Sequence, residues 1–294
     1  MSANLALAQP VAETRKPKAA LGINEFKRIK AVMIAKTGIT LGDDKINLVH
    51  SRLQKRMREL GFTNFSDYCD IVESPQGGAE LRYMINALTT NLTRFFREPH
   101  HFKHLVETTL PPLVSRAKKG ERIRIWSAGC STGQEPYSIA AVLLSMMPDA
   151  ANKNVKILAS DIDSNVIQTA RHGSYEASII KHMPEKLKTK FFQSFDAPHG
   201  QVFTAGPEIK SILSFRELNL NAPIWPMKGT FDIIFCRNTV IYFDQETQAK
   251  IWTRFKNQLS PGGHMYIGHS ERLSGPSAKK FNKVGTTTYQ LADS

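Results

Sequence analysis

Apolar residues recur at three- and four-residue steps through Ile46, Val49, Leu53, Met57 and Leu60. That spacing lays one hydrophobic stripe along a helix and turns it inward. Asp43 or Asp44 opens this helix and Gly61 stops it, while Asn24 opens an earlier one that stops near Gly38. Two further helices, Ser66 to Glu73 and one around Leu81, Ile85 and Leu88, complete a small all-helical bundle. From Asn24 to Gly120 the pattern predicts helices only. After Gly120 the period changes: short apolar runs at Ile123 to Trp126, Val155 to Leu158, Phe231 to Phe235 and Met265 to Ile267 alternate with helical stretches. Such alternation predicts an α/β fold whose mostly parallel sheet is covered on both faces. Between Phe191 and Phe215, Pro198, Gly200, Gly206 and Pro207 surround two β-like runs, which predicts a small β insertion near 185–216. The expected organisation is a tail over 1–20, a helical domain over 21–90, a linker and helix over 91–121, and an α/β domain over 122–294.

Composition narrows the class. With 22% charged and 41% hydrophobic residues over 294 positions, the chain has the make-up of an ordinary globule. Ile139 to Met147, interrupted by Ser145, is about half the roughly 20 residues needed to cross a bilayer, so no membrane insertion is expected. The first twenty residues place an apolar stretch before their basic residues, the reverse of a secretory signal, and read as a disordered tail. Cys69, Cys130 and Cys236 show no CxxC spacing, which argues against a disulfide framework or a zinc site and favours the cytoplasm. His100, His101 and His104 lack a carboxylate or cysteine that would complete a tetrahedral set, so no metal is expected. The formal charge of +13 calls for an acidic partner, and residues 1–120 carry 19 Lys+Arg against 11 Asp+Glu. Arg52, Lys55 and Arg56 fall outside the apolar stripe of their helix. Charge alone leaves acidic protein, nucleic acid and anionic lipid open as partners, beside a merely solvated face.

Three strand ends carry candidate chemistry. Ser127-Ala128-Gly129-Cys130-Ser131-Thr132-Gly133 follows the first strand and precedes a helix, where a glycine turn lets backbone approach a nucleoside closely. The spacing is neither GxGxxG nor a P-loop, and a purely structural turn fits it equally well. Asp161, at the end of the second strand, is placed to accept both ribose hydroxyls of an adenosine, whereas Asp163 reads as a helix cap. The third strand runs into Cys236-Arg237-Asn238-Thr239-Val240-Ile241-Tyr242-Phe243-Asp244. Methyltransferases acting on exocyclic amines commonly carry an Asn/Asp-Pro-Pro-aromatic run here; this chain has no proline and offers Arg237, a cation suited to an anion.

Taken together, these segments resemble the chemotaxis receptor glutamate methyltransferase family. The likeness extends through Thr90-Asn91-Leu92-Thr93-Arg94-Phe95-Phe96-Arg97-Glu98-Pro99-His100-His101-Phe102, the Ser127 to Ser138 run, Ala159 to Asp163, Cys236 to Asp244, and Gly268-His269-Ser270-Glu271, over about residues 24 to 291. The resemblance implies a class I methyltransferase fold (Rossmann-like, mostly parallel sheet) with an N-terminal all-helical domain. It implies S-adenosyl-L-methionine as cofactor, S-adenosyl-L-homocysteine as product, and O-methylation of receptor glutamates. By the same likeness Asn91, Thr93 and Arg97 reach the methionine end of the cofactor, Glu135 its amino group and Asp161 its ribose. Asn219 and Leu220 lie by the adenine, Asn238 and Thr239 close the site, and Arg237 and Tyr242 face the reacting methyl and the incoming carboxylate. Gln134, where the family usually has a second glutamate, and Thr239, where it has an apolar residue, are departures. Arg52, Lys55 and Arg56 become candidates for docking the cytoplasmic helical domain of receptors, with the enzyme cytoplasmic and recruited to them, and no nucleic acid expected. A nucleic-acid methyltransferase is the competing reading, opposed by the missing proline-containing motif, and a noncatalytic adenosyl-binding sensor is a third.

Overall fold

The computed structural model describes residues 20–292, so the expected tail lies outside the described residues except for Ala20. Two compact units divide the chain: one holds the residues up to Val32 and Gly42–Ala87, the other Met33–Leu41 and Leu88 onward. Helices α1 (Ile23–Thr37), α2 (Ile46–Glu59), α3 (Phe65–Glu73) and α4 (Gly78–Leu88) account for the first unit, the last turn of α1 and Leu88 being counted with the second. Val49, Leu53 and Met57 of α2 are buried, as their period requires, while Leu60 is 40% exposed beyond the helix end. Asn64 caps α3 by accepting the Asp67 N–H at 2.9 Å.

In the second unit, α5 (Pro99–His104) passes through a π-helical turn, Leu105–Thr109, into α6 (Leu110–Lys118). A seven-stranded sheet follows. Its parallel part comprises β1 (Ile123–Ala128), β2 (Val155–Asp161), β6 (Leu213–Glu217), β7 (Phe231–Cys236) and β8 (Leu259–Ile267); β9 (Phe281–Gly285) and β10 (Thr288–Leu291) add an antiparallel edge, in the order β6-β2-β1-β7-β8-β10-β9. Helices α7 (Gln134–Met146) and α8 (Ser164–His172) cross between β1, β2 and the insertion; α12 (Gln245–Gln258) crosses from β7 to β8. Every residue of β7 is buried, as a parallel strand covered on both sides demands. One apolar cluster, with Ile125, Tyr137, Leu143 and Ile157, fills one face of the sheet. Another, with Trp126, Ile234, Trp252 and Phe255, fills the other.

The insertion is an antiparallel sheet of β3 (Ser174–Glu176), β4 (Phe192–Ala197) and β5 (Gly200–Ala205), accompanied by α9 (Ala177–Ile180), α10 (Glu185–Phe191) and α11 (Pro207–Ser211). It starts earlier in the chain than the β-like runs suggest, and β6 belongs to the large sheet, paired with β2 from Ile157↔Leu213 to Asp161↔Glu217. Among the described residues no helix is long and apolar enough to cross a membrane.

Candidate active site

The carboxyl ends of β1, β2 and β7 converge on one edge of the sheet. Gly129 has φ +79°, and a Cβ there would stand 2.2 Å from Thr239 Oγ1, so only glycine lets the turn after β1 meet the segment after β7. Asp161 closes β2 and accepts the Ser131 N–H at 2.8 Å and the Asp163 N–H at 3.1 Å, one on each oxygen. Burial pushes its pKa up, and each oxygen keeps a lone pair for a further donor. Asp163 caps α8 by accepting from Asn165 and Val166. Its other oxygen accepts Asn91 Nδ2 at 2.8 Å and Thr89 Oγ1 at 3.2 Å, while Ser131 Oγ donates to the Asn91 carbonyl at 2.8 Å. The 89–91 segment is thereby tied across the ends of β1 and β2.

Beyond β7, Arg237 is 6% exposed. Its guanidinium donates to Glu135 Oε2 at 3.1 Å and to the Arg97 carbonyl, and lies 3.4 Å from Glu98 Oε2. Glu135 also accepts Ser127 Oγ at 2.6 Å. Burial raises the pKa of Glu135, against the pull of Arg237. In Glu98 burial is outweighed by the charge of Arg237 and the hydrogen bond to His269, which hold its carboxyl below the ordinary range. Two carboxylates around one guanidinium leave this corner short of positive charge. The Gly268-His269-Ser270-Glu271 motif explains the rest of the edge: Glu271 Oε1 accepts the N–H groups of Thr239 and Val240, and Oε2 those of Asn238 and Gly268, all within 2.6–2.9 Å. One buried carboxylate thus holds the whole turn after β7.

Backbone strain gathers at the same place. Of the non-glycine residues with positive φ among the described residues, Phe96, Glu98, Ser131 and Asn238 all lie in these segments, and only Thr287 does not. Such conformations cost about 1–3 kcal/mol each and persist where the surroundings impose them, commonly at functional sites.

Other sequence candidates are distributed as follows. Arg97 Nη1 donates to the Leu92 carbonyl at 2.9 Å, and Thr93 is half-buried beside it in the chain. Asn219 Nδ2 donates to the Lys36 carbonyl at 2.8 Å, and the Leu220 side chain belongs to the apolar cluster around Trp225. The Tyr242 carbonyl accepts Thr40 N–H at 2.8 Å, and its side chain is half-buried. Gln134 is buried and accepts Thr132 Oγ1. In the helical unit, Arg56 grips Glu80 through Nε and Nη2 at 2.7–3.1 Å, and Arg52 Nη1 donates to the Ala87 carbonyl at 3.2 Å. Lys55 is the most exposed member of that trio, with 77% of its side chain in solvent, and its Nζ lies 3.8 Å from Glu59 one turn on. Sequence reasoning did not assign roles to Glu98, Ser131 or Glu271; the strand-end position of Ser131 and the acid in the motif after β8 were the signals available.

Glu98, His100 and His101 bring ligand-type atoms within 4.8 Å of one another. Both Glu98 oxygens are already engaged, Oε2 by Arg237 at 3.4 Å and Oε1 by His269 Nδ1 at 3.0 Å, so this group reads as an ion-pair network. Burial and the same guanidinium push His101 down to about 3, keeping it neutral. The edge does suit a cationic nucleoside. Asp161 can take hydroxyls, the Glu98–Glu135 pair favours positive charge, and two buried polar atoms of the β7 turn, Arg237 Nε and Asn238 Oδ1, have no hydrogen-bond partner among the described residues.

Comparison with known proteins agrees with this geometry. Residues 91–290 match the CheR methyltransferase, SAM binding domain, and residues 24–89 the CheR methyltransferase, all-alpha domain. A probable chemotaxis protein methyltransferase of Rhizobium etli is 49% identical over 253 residues, covering 86% of this chain and 94% of the relative. The chemotaxis protein methyltransferase of Escherichia coli is 40% identical over 273 residues, covering 93% and 92%. Chemotaxis protein methyltransferase 2 of Pseudomonas aeruginosa is 39% identical over 269 residues, covering 91% and 93%. With both domains matched in order over nearly all the described residues, the chain belongs to the CheR family of S-adenosylmethionine-dependent methyltransferases.

Proposed function

We propose that this enzyme methylates glutamate side chains of chemotaxis receptors, forming glutamyl methyl esters. The observation that carries the reading is that the carboxylates gathered around the ends of β1, β2 and β7 are already engaged: Asp161 and Asp163 by backbone N–H groups, Glu135 and Glu98 by Arg237, and Glu271 by four N–H donors. An amine or alcohol nucleophile would need a base to take its proton, whereas a glutamate carboxylate, with a reference pKa of about 4.3, arrives ionised. S-adenosylmethionine, when bound, supplies a methyl on a sulfonium; a C–O bond forms as the C–S bond breaks, leaving S-adenosylhomocysteine and an ester. The chain's own task is alignment and exclusion of water, worth several kcal/mol and up to roughly 7–11 in the best-oriented cases. Asp161 is assigned to the ribose, Glu135 to the amino group, Asn91, Thr93 and Arg97 to the methionine end, and Asn238 to the turn that closes the site. Asn219 and Leu220 are assigned to the adenine side, and Thr239 to the closing turn. Arg237 and Tyr242 orient the carboxylate. The test is incubation with a purified receptor cytoplasmic fragment and peptide mapping: methyl groups on glutamates support the reading, and methyl groups on lysine, asparagine or nucleic acid sink it.

Asp161→Ala should weaken binding of S-adenosylhomocysteine by on the order of 1.5–3 kcal/mol, the value of hydrogen bonds to a charged acceptor. In the wild type the same affinity should be full at neutral pH. It should fall on acidification, beginning above the ordinary aspartate range of about 3.9, because burial raises the Asp161 pKa and only the ionised form accepts both hydroxyls. Calorimetry showing equal affinity in the variant removes Asp161 from the site.

The helical unit is assigned to receptor docking through Lys55 with its exposed neighbour Arg58, because Arg52 and Arg56 already bind within the unit. Lys55→Glu with Arg58→Glu should raise the receptor KM roughly three- to tenfold at low salt, with the difference shrinking over the screening length of about 8 Å at physiological salt. Cofactor affinity should not move. A variant with wild-type KM and salt response would place docking elsewhere.

A further inference from the structure

The opposite edge of the sheet, where β1, β2, β6 and β7 begin, holds a cavity of about 510 Å³. Its origin is topological. The β1→β2 and β2→β6 connections bring α7 and α8 with them, but the β6→β7 crossover, Leu218 to Thr230, contains no helix. Part of the sheet face beside β2 and β6 is left covered by a loop alone.

The rim of this cavity is cationic: Arg122, Arg124, Lys156 and Lys228 line it, and among the described residues no acidic one does. Three of these cations are anchored by neutral acceptors. Arg122 donates to the Thr230 carbonyl at 2.7 Å, Arg124 to the Ile123 and Asn154 carbonyls at 2.8 Å, and Lys156 to the Ser211 carbonyl at 2.9 Å. Gly229 has φ +106°, and a Cβ there would stand 3.1 Å from the Arg122 guanidinium, so glycine leaves that cation its seat. The neighbouring acid, Asp232, is consumed by Arg116 Nη1 at 2.7 Å and the Arg124 backbone N–H at 2.8 Å. Burial, and then the like charge of Arg122, lower the Arg124 pKa. The floor differs in character, being formed by Leu158, Leu213, Met227 and Phe231. Carbonyls fix the cations in place without neutralising them, and the apolar floor has room for a flat ring system. The volume falls in the range of roughly 300–1,000 Å³ of small-molecule sites.

We propose that this cavity binds a nucleotide, its phosphates on the Arg122, Arg124, Lys156 and Lys228 rim and its base against the Leu158–Phe231 floor. The site is separate from the methyl-transfer edge. Strands of six or seven residues at about 3.3 Å per residue place the two ends some 20 Å apart, so such a ligand occupies a second site and does not compete for the first.

The experiment is calorimetric titration of the full chain with ATP in saturating S-adenosylhomocysteine, which fills the adenosine site at the catalytic edge. The expected result is one equivalent of ATP bound, roughly tenfold or more weaker in Lys156→Ala/Lys228→Ala, for loss of charge-assisted contacts. Adenosine and pyrophosphate should each bind more weakly than ATP. Unchanged S-adenosylhomocysteine affinity in the double variant confirms that its fold is intact. The proposal is overturned by absence of ATP binding under these conditions, by equal ATP affinity in the variant, or by pyrophosphate binding as tightly as ATP.

Discussion

Glu271→Ala is expected to destabilise the catalytic unit by on the order of 3–4 kcal/mol and to weaken cofactor binding at least roughly tenfold, although Glu271 is assigned no contact with the cofactor. The reason is the geometry of one carboxylate facing four N–H groups, two on each oxygen. Removing it leaves Asn238, Thr239, Val240 and Gly268 with donors that each cost about 1–3 kcal/mol when buried and unmade, a sum that entering water partly offsets. The left-handed Asn238, φ 56°, loses the contact that imposes its conformation. Glu271→Gln should be nearly as damaging, because its amide NH₂ replaces one of the two oxygens and faces two donors with another donor. Urea unfolding together with S-adenosylhomocysteine titration measures both effects. Wild-type stability in the glutamine variant would show that the turn after β7 is held by something else.

Arg237→Ala is expected to lose methyl transfer roughly a hundredfold or more and to cost about 3–5 kcal/mol of stability, the usual penalty for removing one partner of a buried ion pair. Here the guanidinium serves Glu135 and Glu98 together, and the alanine leaves both buried without a cation. Pairing it with Glu135→Gln should recover part of the stability and none of the activity, since the first loss is electrostatic and the second is loss of the group assigned to orient the carboxylate. Arg237→Lys should fold better than the alanine variant yet remain impaired, because a point charge cannot reach Glu135, Glu98 and the Arg97 carbonyl as a planar fork does. Stability equal to wild type in Arg237→Ala would contradict the assigned network.

What could be read from the chain follows the range of the interactions. The stripe Ile46 to Met57 and the buried runs of β1, β2, β7 and β8 are local patterns, so the parallel sheet and the helical bundle were legible. The position of Asp161 was legible for the same reason, being the first acidic residue after the apolar run that ends at Leu158. The edge strands β9 and β10 were not: FNKVG and TYQL are short, polar and half-exposed, and antiparallel pairing with β8 supplies their reason to be extended. The surroundings of Arg237 were hidden too, because Glu135 lies 102 positions away and the Arg97 carbonyl 140. The cation looked available to an incoming anion, whereas the fold has already engaged most of it, leaving only Nε without a partner among the described residues. The docking trio shows the same effect over a shorter range. Arg56 falls outside the apolar stripe, yet Glu80 and the face of Tyr83 claim it.

The most direct measurement of the central claim is the fate of the transferred methyl. The chain is incubated with methyl-labelled S-adenosylmethionine and a receptor-enriched membrane fraction, and the product is exposed to mild alkali. Glutamyl ester formation predicts label on the receptor band that leaves as volatile methanol, and far slower labelling of that band by the Arg237→Ala variant. Label that stays on protein through alkali, or that appears in nucleic acid, would contradict it.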